Sequence, residues 1–159
     1  MTYLERQLRL LAHAGVDFIV IGGMAAAAHG SARSTLDLDV VYARDATNVR
    51  RLVGALAPYH PYLRGVPPGL PFVFDEVTIV HGLNFTLTTD VGDFDLFGEV
   101  LGGGNYGELL PQTIEIEAFG VRCRYVTLDA LLRLKRAAGR PKDLEAIAEL
   151  ELLRDRLEG

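Results

Sequence analysis

The spacing of apolar residues changes along the chain, and each change predicts a new element of secondary structure. Apolar residues that recur every three or four positions predict helices, and apolar residues that alternate with polar ones predict strands. Helices are predicted over 2–14, 24–28, 45–57, 127–139 and from 141 onward. Strands are predicted over 17–21, 37–42, 113–118 and 121–126, with more strands over 72–97 that include Val77 and Ile79 and end in a hairpin turning near 90–92.

Proline and glycine residues indicate where loops, turns and one helix start interrupt this pattern. The stretch 58–71 is rich in both and predicts a loop within one domain, because neither flank could bury a core alone. Gly102-Gly103-Gly104 predicts a turn or a mobile lid, and no Walker motif follows it. Pro141 predicts the start of the last helix. The apolar face expected for that helix consists of Leu144, Ile147, Ala148, Leu150 and Leu152.

Bulk composition is that of an ordinary globular protein. With 159 residues, 49% hydrophobic and 23% charged, the chain suffices for one domain with a sizeable core. The net charge of −5 argues against a protein that coats nucleic acid through a general basic surface. The single cysteine, Cys123, excludes an internal disulfide and is expected in the core. We find no secretory signal and no apolar run near the ~20 residues that span a bilayer, so we expect a soluble, cytoplasmic protein with no membrane partner.

Two aspartates at the start of one strand form the first candidate site. Asp37 and Asp39 project from one face of the strand, whereas Leu36, Leu38 and Val40 take the other. Neighbouring carboxylates repel each other, and a hard divalent cation such as Mg²⁺ would keep both ionised. The alternative is a pair of solvated acids on an edge strand.

A glycine pair precedes this strand. Gly22-Gly23 ends the strand over 17–21 and opens a helix of small residues, so backbone N–H groups there can face an anion. A phosphate-binding turn beside a metal-binding acid pair predicts a site for a nucleoside triphosphate.

Two more aspartates share a face of the strand after the hairpin. Asp93 lies close to the turn, and Asp95 lies deeper, between Phe94 and Leu96. A third carboxylate is what a two-metal phosphoryl-transfer site requires, because one ion holds the attacking oxygen and the other holds the phosphates. Either aspartate could supply it.

Basic residues concentrate where the last two helices meet. Lys135, Arg140 and Lys142 lie there together with Arg133 and Arg136, and Arg33 lies just before the acid pair. Their presence is explained equally well by a solvated basic face and by cations for a triphosphate.

These motifs resemble the signature of the DNA polymerase β-type nucleotidyltransferase superfamily. The central resemblance comprises Gly22-Gly23, His29-Gly30, Arg33, Thr35 and Asp37-x-Asp39. Gly92-x-Phe94-Asp95-Leu96 resembles the strand with the third acid, which favours Asp95 over Asp93. Lys135, Arg140, Lys142 and Asp143 match recurrent positions of the C-terminal helical segment. Within this superfamily the sequence resembles the small bacterial members grouped with the AbiEii toxin and minimal nucleotidyltransferase proteins.

The resemblance implies a fold, a reaction and a cofactor. The fold would be an α/β (α+β) mixed sheet flanked by helices, a single domain over 1–159 with a helical segment over 127–159. The enzyme would move a nucleoside monophosphate from an NTP such as ATP to a hydroxyl on an RNA 3′ end, a protein or a small molecule. Asp37, Asp39 and Asp95 would be catalytic and would hold two Mg²⁺ ions, with Mn²⁺ as the alternative.

The nucleotide would contact a separate set of residues. This set is Gly22, Gly23, Arg33, Thr35, Lys135, Arg140 and Lys142. A role in a toxin–antitoxin pair, with a partner protein, also follows from the resemblance.

One departure from the family pattern keeps a second hypothesis open. Many members carry Gly-Ser at the first turn, and here Gly23 replaces the serine that contacts a phosphate. The alternative function is therefore a catalytically inactive module that binds a nucleotide or a partner protein.

Overall fold

The computed structural model describes residues 2–158. Over these residues the helices are α1 Tyr3–His13, α2 Gly22–Ala28, α3 Ala46–Leu56, α4 Glu76–His81, α5 Tyr106–Leu109, α6 Leu128–Ala138 and α7 Pro141–Glu158. The strands are β1 Phe18–Ile21, β2 Asp37–Tyr42, β3 Tyr62–Leu63, β4 Asn84–Thr89, β5 Gly92–Phe97, β6 Glu99–Val100, β7 Gly104–Asn105, β8 Thr113–Ala118 and β9 Val121–Val126. Short 3₁₀ turns cover Ala57–Tyr59 and Leu110–Gln112.

A seven-stranded mixed sheet forms the centre of the molecule, in the order β3-β4-β5-β2-β1-β9-β8. Strand β2 runs antiparallel to β1 and parallel to β5, and β1 runs parallel to β9. The predicted fold class, a mixed α/β sheet flanked by helices, is confirmed. One hydrophobic cluster extends along the chain from Leu8 in α1 to Leu150 in α7, and Leu63 of β3 and Ile116 of β8 pack against it.

Side-chain caps fix the helix ends where the sequence predicts them. The Thr2 hydroxyl accepts a hydrogen bond from the amide of Glu5, and the Thr127 hydroxyl accepts one from the amide of Ala130, each at 3.2 Å. Such caps satisfy backbone donors that have no partner inside the helix. Gly139 ends α6 in the left-handed conformation, with φ 63°, where glycine avoids the strain that a Cβ would add.

The prediction of strands around Val77 and Ile79 is wrong, because this segment is helix α4. The Asp75 carboxylate accepts a hydrogen bond of 2.8 Å from the amide of Thr78 and caps the helix. Ile79 is fully buried, whereas Val77 and Val80 are exposed. The alternation of apolar residues therefore reflects one buried position on a short helix.

Three loop or surface expectations also change. Tyr62–Leu63, inside the predicted loop, forms an edge strand with β4. Gly102-Gly103, by contrast, lie in the turn of the β6–β7 hairpin, in agreement with the predicted turn. Leu36 precedes β2 and is 84% exposed, so it does not share the buried face of Leu38 and Val40. Leu144 and Leu152 were expected on the apolar face of α7 but are exposed.

Cys123 is buried, as expected. None of the helices within 2–158 combines the length and apolar character needed to cross a membrane.

Candidate functional site

Two parallel strands bring the predicted acids together. In the β2–β5 pairing Asp37 lies opposite Asp93, and Asp39 lies opposite Asp95. Directly paired residues of adjacent strands point to the same face of the sheet. Carboxylate oxygens of Asp37, Asp39 and Asp95 all lie within 4.8 Å of one another. The three residues predicted to bind metal therefore form one cluster, which we call the acid triad.

The acid triad carries strong electrostatic strain. Burial, followed by repulsion from Asp95 and Asp37, raises the pKa of Asp39 from 3.8 to about 8. Burial and Asp95 also raise the pKa of Asp37, although Arg64 and Lys142 oppose the increase. The Oδ1 atom of Asp39 is buried and has no hydrogen-bond partner within the protein. Oxygen ligands of this kind are those that Mg²⁺ and Mn²⁺ prefer, so the donor set fits a hard divalent cation.

A cation that the sequence did not predict lies against this cluster. Arg64 follows β3, and its guanidinium approaches Asp95 at 2.9 Å, Asp93 at 3.3 Å and Asp37 at 3.8 Å. The same side chain donates hydrogen bonds to the backbone oxygens of Leu87 and Phe94. Arg64 is therefore anchored to the sheet and forms ion pairs with Asp37, Asp93 and Asp95. Asp39 makes no ion pair within the described residues.

A polar cavity of about 370 Å³ opens beside Asp37 and Asp39. Its wall includes every predicted nucleotide-binding residue except Gly22: Gly23, Arg33, Thr35, Lys135, Arg140 and Lys142. Arg33 is held loosely by Glu145 at 3.7 Å and Glu149 at 3.9 Å on α7. The cavity thus joins three carboxylates, those of Asp37, Asp39 and Glu149, to four cationic side chains. The two aspartates beside these cations form a charge pattern suited to a metal-bound polyphosphate.

Asp143 orders two of these cations. Its side chain is fully buried and contacts Arg140 at 2.7 Å and Lys135 at 3.5 Å. Burial opposes ionisation of Asp143, but the hydrogen bonds and charge of Arg140 prevail and hold its pKa below the usual value. The sequence resemblance included Asp143 without assigning it to the site, and the structure places it directly behind Lys135 and Arg140.

The two glycines lie close to site side chains. A Cβ on Gly22 would lie 2.1 Å from Oδ2 of Asp39, and Gly22 has φ +64°. A Cβ on Gly23 would lie 2.5 Å from Oγ1 of Thr35. Gly22 therefore permits the approach of Asp39, and the space for a side chain at residue 23 is filled by the Thr35 hydroxyl. Gly22 lines a second, apolar cavity, which meets the polar cavity at Asp39.

The fold has counterparts among solved structures. The lincosamide antibiotic adenylyltransferase LnuA, solved with lincomycin bound, is similar with a TM-score of 0.63 and 15% sequence identity, over 95% of this chain and 96% of that chain. A predicted nucleotidyltransferase from Thermotoga maritima is similar with a TM-score of 0.51 and 15% identity, over 99% of this chain and 96% of that chain. No protein-family model and no curated protein matches the sequence. The chain therefore has the fold seen in nucleotidyltransferases.

Proposed function

We propose that this protein is a nucleotidyltransferase that moves a nucleoside monophosphate from an NTP to a hydroxyl. The observation that carries the proposal is the acid triad, whose three carboxylates lie within 4.8 Å of one another at the edge of a cavity lined by cationic side chains. Carboxylates this close together and partly buried are costly without a cation. The nucleotidyltransferase fold supports the same reaction by analogy.

The residues of the chain have separate roles in this reaction. Asp37, Asp39 and Asp95 would hold Mg²⁺ or Mn²⁺, which supplies Lewis-acid stabilisation of charge on the phosphate oxygens. The triphosphate is bound by four cationic side chains, those of Lys135, Arg140, Lys142 and Arg33. Gly23 and Thr35 also line the cavity that it occupies. Asp95, on β5, takes the proton of the acceptor hydroxyl.

The bond changes follow from this arrangement. The acceptor oxygen forms a bond to the α-phosphorus, and the bond from that phosphorus to the α–β bridging oxygen breaks. Pyrophosphate leaves with the electron pair, and Lys135 and Arg140 compensate its charge. The products are a nucleoside monophosphate ester, pyrophosphate and one proton.

The test is transfer of label from α-³²P-labelled NTPs in the presence of Mg²⁺, with a total cell lysate as the source of acceptors. Asp39→Asn removes one carboxylate with little change of shape, so we expect transfer to be abolished while the circular dichroism spectrum is preserved. Equal labelling by the wild type and Asp39→Asn would refute the assignment.

The second candidate is a catalytically inactive module that binds a nucleotide or a partner protein. It is favoured by the contact of Arg64 with Asp95 and by the glycine at residue 23. Calorimetry with each NTP separates the two functions. Binding that requires Mg²⁺ supports the enzyme, and absence of all nucleotide binding supports the interaction module.

A narrower version of the function places the protein in a bacterial toxin–antitoxin pair, as the sequence resemblance implies. Induced expression should then arrest growth, and Asp39→Asn should not. Growth that is unaffected by the active protein would exclude a toxin role while leaving nucleotidyl transfer in place.

A further inference from the structure

The apolar cavity has a volume of about 210 Å³ and lies directly behind Asp39. Its wall is formed mainly by side chains from the strand ends, the β6–β7 hairpin and α6: Ile21, Phe97, Val100, Leu101, Leu131 and Leu134. Asp39, Lys135 and Arg140 line this cavity and the polar cavity alike. A molecule in the apolar cavity would therefore touch the same groups as the phosphates of the NTP.

The charged groups of this wall are concentrated at the boundary with the polar cavity. Three of the four line both cavities, and the fourth, Asp143, is fully buried in its contacts with Lys135 and Arg140. The rest of the wall is apolar apart from Gly22. It offers no side-chain partner for the hydrogen-bonding edges of a nucleobase, and buried polar edges without partners cost free energy.

The volume limits what can enter. The cavity volume of about 210 Å³ is that of a small-molecule site. It accommodates a hydrocarbon segment or a ring of similar size, and it lies below the ~300 Å³ at which sites for drug-sized ligands begin. An RNA 3′ end, which carries a phosphate one nucleotide away, gains nothing from such a wall.

We propose that the apolar cavity is the acceptor subsite and that the acceptor is a small alcohol with an apolar body. This inference rests on the proposed nucleotidyl transfer and specifies its second substrate. The apolar body fills the cavity, and the hydroxyl lies at its polar boundary beside Asp39. The hydroxyl oxygen then attacks the α-phosphorus, pyrophosphate leaves with the electron pair, and the hydroxyl proton passes to the triad. Leu101, which is 70% exposed at the edge of the cavity, is covered when the acceptor binds.

The first experiment compares acceptors of graded length. The wild-type protein is incubated with Mg²⁺, an α-³²P-labelled NTP and each 1-alkanol from ethanol to 1-octanol. We expect kcat/KM to rise about fourfold for each added methylene until the cavity is full, then to level off. Glycerol and an oligoribonucleotide ending in CCA serve as polar acceptors and should be used poorly. Better transfer to either of these than to 1-hexanol would overturn the inference but leave nucleotidyl transfer intact.

The second experiment fills the cavity. Ala138 lies at an exposed position of α6 and lines the cavity, so Ala138→Trp can close it with little risk to folding. The natural chain contains no tryptophan, so the new side chain is also a unique fluorescent reporter. We expect blue-shifted emission, a KM for 1-hexanol raised at least tenfold and an unchanged Kd for the NTP. The control is Leu152→Trp, at an exposed position of α7 outside both cavities. Equal KM values for 1-hexanol in the two variants would overturn the inference.

The third experiment does not depend on turnover. Titration of ¹⁵N-labelled protein with 1-hexanol should shift the amide signals of Gly22, Val100 and Leu134 in the absence of nucleotide. Their failure to move would overturn the acceptor subsite. If 1-hexanol shifts these signals but calorimetry detects no NTP binding, the cavity is supported as an apolar binding site and the proposed transferase is overturned.

Discussion

Nη2 of Arg64 lies 2.9 Å from Oδ1 of Asp95. The contact joins a residue that follows an edge strand to the third member of the acid triad. It holds Asp95 in place, but it also puts a fixed positive charge where a divalent cation would be attracted. Arg64 therefore helps to orient Asp95 but lowers the affinity of the triad for metal.

Arg64→Met should separate these two effects. Without the positive charge of the guanidinium, the triad attracts a divalent cation more strongly, so we expect the Kd for Mn²⁺ to fall roughly tenfold, or about 1.4 kcal/mol. Transfer should nevertheless decrease, because Asp95 loses the partner that orients it. Calorimetric titration with Mn²⁺ measures the affinity, and the same titration counts the ions bound. The matched control is Arg122→Met, which removes an exposed arginine paired with Glu115 and Glu117. If Arg64→Met binds Mn²⁺ no more tightly than the control, Arg64 does not compete with the metal.

Asp39 should make the metal-free protein less stable as pH rises. Its pKa is raised from 3.8 to about 8 in the folded state. Between these two values the folded protein holds a proton that the unfolded chain has released, so the free energy of unfolding falls as pH increases. Asp39 contributes its full stabilisation below the unfolded pKa, and the loss is complete above the folded pKa.

Urea unfolding in EDTA from pH 5 to pH 8.5 measures this effect. Asp39→Asn should have a flatter profile than the wild type and greater stability at the alkaline end. Addition of Mg²⁺ should raise the stability of the wild type most at high pH, because the ion favours the ionised carboxylates. Asp155→Asn, at an exposed position, serves as the control. Parallel profiles for Asp39→Asn and the wild type would contradict the raised pKa.

The sequence predicted those features that depend on local rules. The predicted starts of the helices near Thr2 and Thr127 agree with the structure because helix capping needs only residues within one helical turn. The meeting of Asp39 and Asp95 needed one further assumption, that their two strands are neighbours in register. Arg64 escaped prediction because its contacts depend on the pairing of β3 with β4 and of β4 with β5, which no local pattern specifies.

The prediction was wrong or incomplete where a local pattern is ambiguous or where distant segments of the chain meet. Val77 and Ile79 suggested a strand because two apolar residues at a spacing of two cannot distinguish a strand from one short helix. Leu144 and Leu152 suggested a wider apolar face on α7 than the structure buries, since the buried residues of that helix are Asp143, Ala146 and Leu150. The apolar cavity has no sequence signature, because its wall combines residues from distant segments.

Gly22→Ala should disable the triad. The new Cβ would overlap Oδ2 of Asp39, at 2.1 Å, and a residue other than glycine is strained at φ +64°. Displacement of Asp39 should weaken Mn²⁺ binding and reduce transfer at least a hundredfold, with a loss of roughly 1–3 kcal/mol in the free energy of unfolding. The control is Gly54→Ala, in α3 with no atom within 4 Å of the added Cβ, and it should stabilise the protein by about 0.5–1 kcal/mol. Full transfer activity in Gly22→Ala would show that the close approach of Asp39 to Gly22 is not required for the reaction.

Thr35 should supply the hydroxyl that the first turn lacks. Its Oγ1 lies 2.5 Å from the position of a Cβ on Gly23 and lines the polar cavity. A hydrogen bond to a charged phosphate contributes roughly 1.5–3 kcal/mol, so Thr35→Val should raise the Kd for the NTP at least tenfold. Thr47→Val, at an exposed position of α3, should have no effect.

A stronger test of this role of Thr35 moves the hydroxyl from residue 35 to residue 23. Gly23→Ser alone should impair NTP binding, because its Cβ would overlap Thr35. Thr35→Gly alone should also impair binding, since it removes the hydroxyl. The double variant Gly23→Ser/Thr35→Gly clears the space and restores one hydroxyl, so its Kd should return to within a few fold of the wild type. Calorimetry with Mg²⁺ and NTP measures all four proteins. If the double variant binds no better than Thr35→Gly, the two positions are not interchangeable, and Thr35 does not take the place of a serine at residue 23.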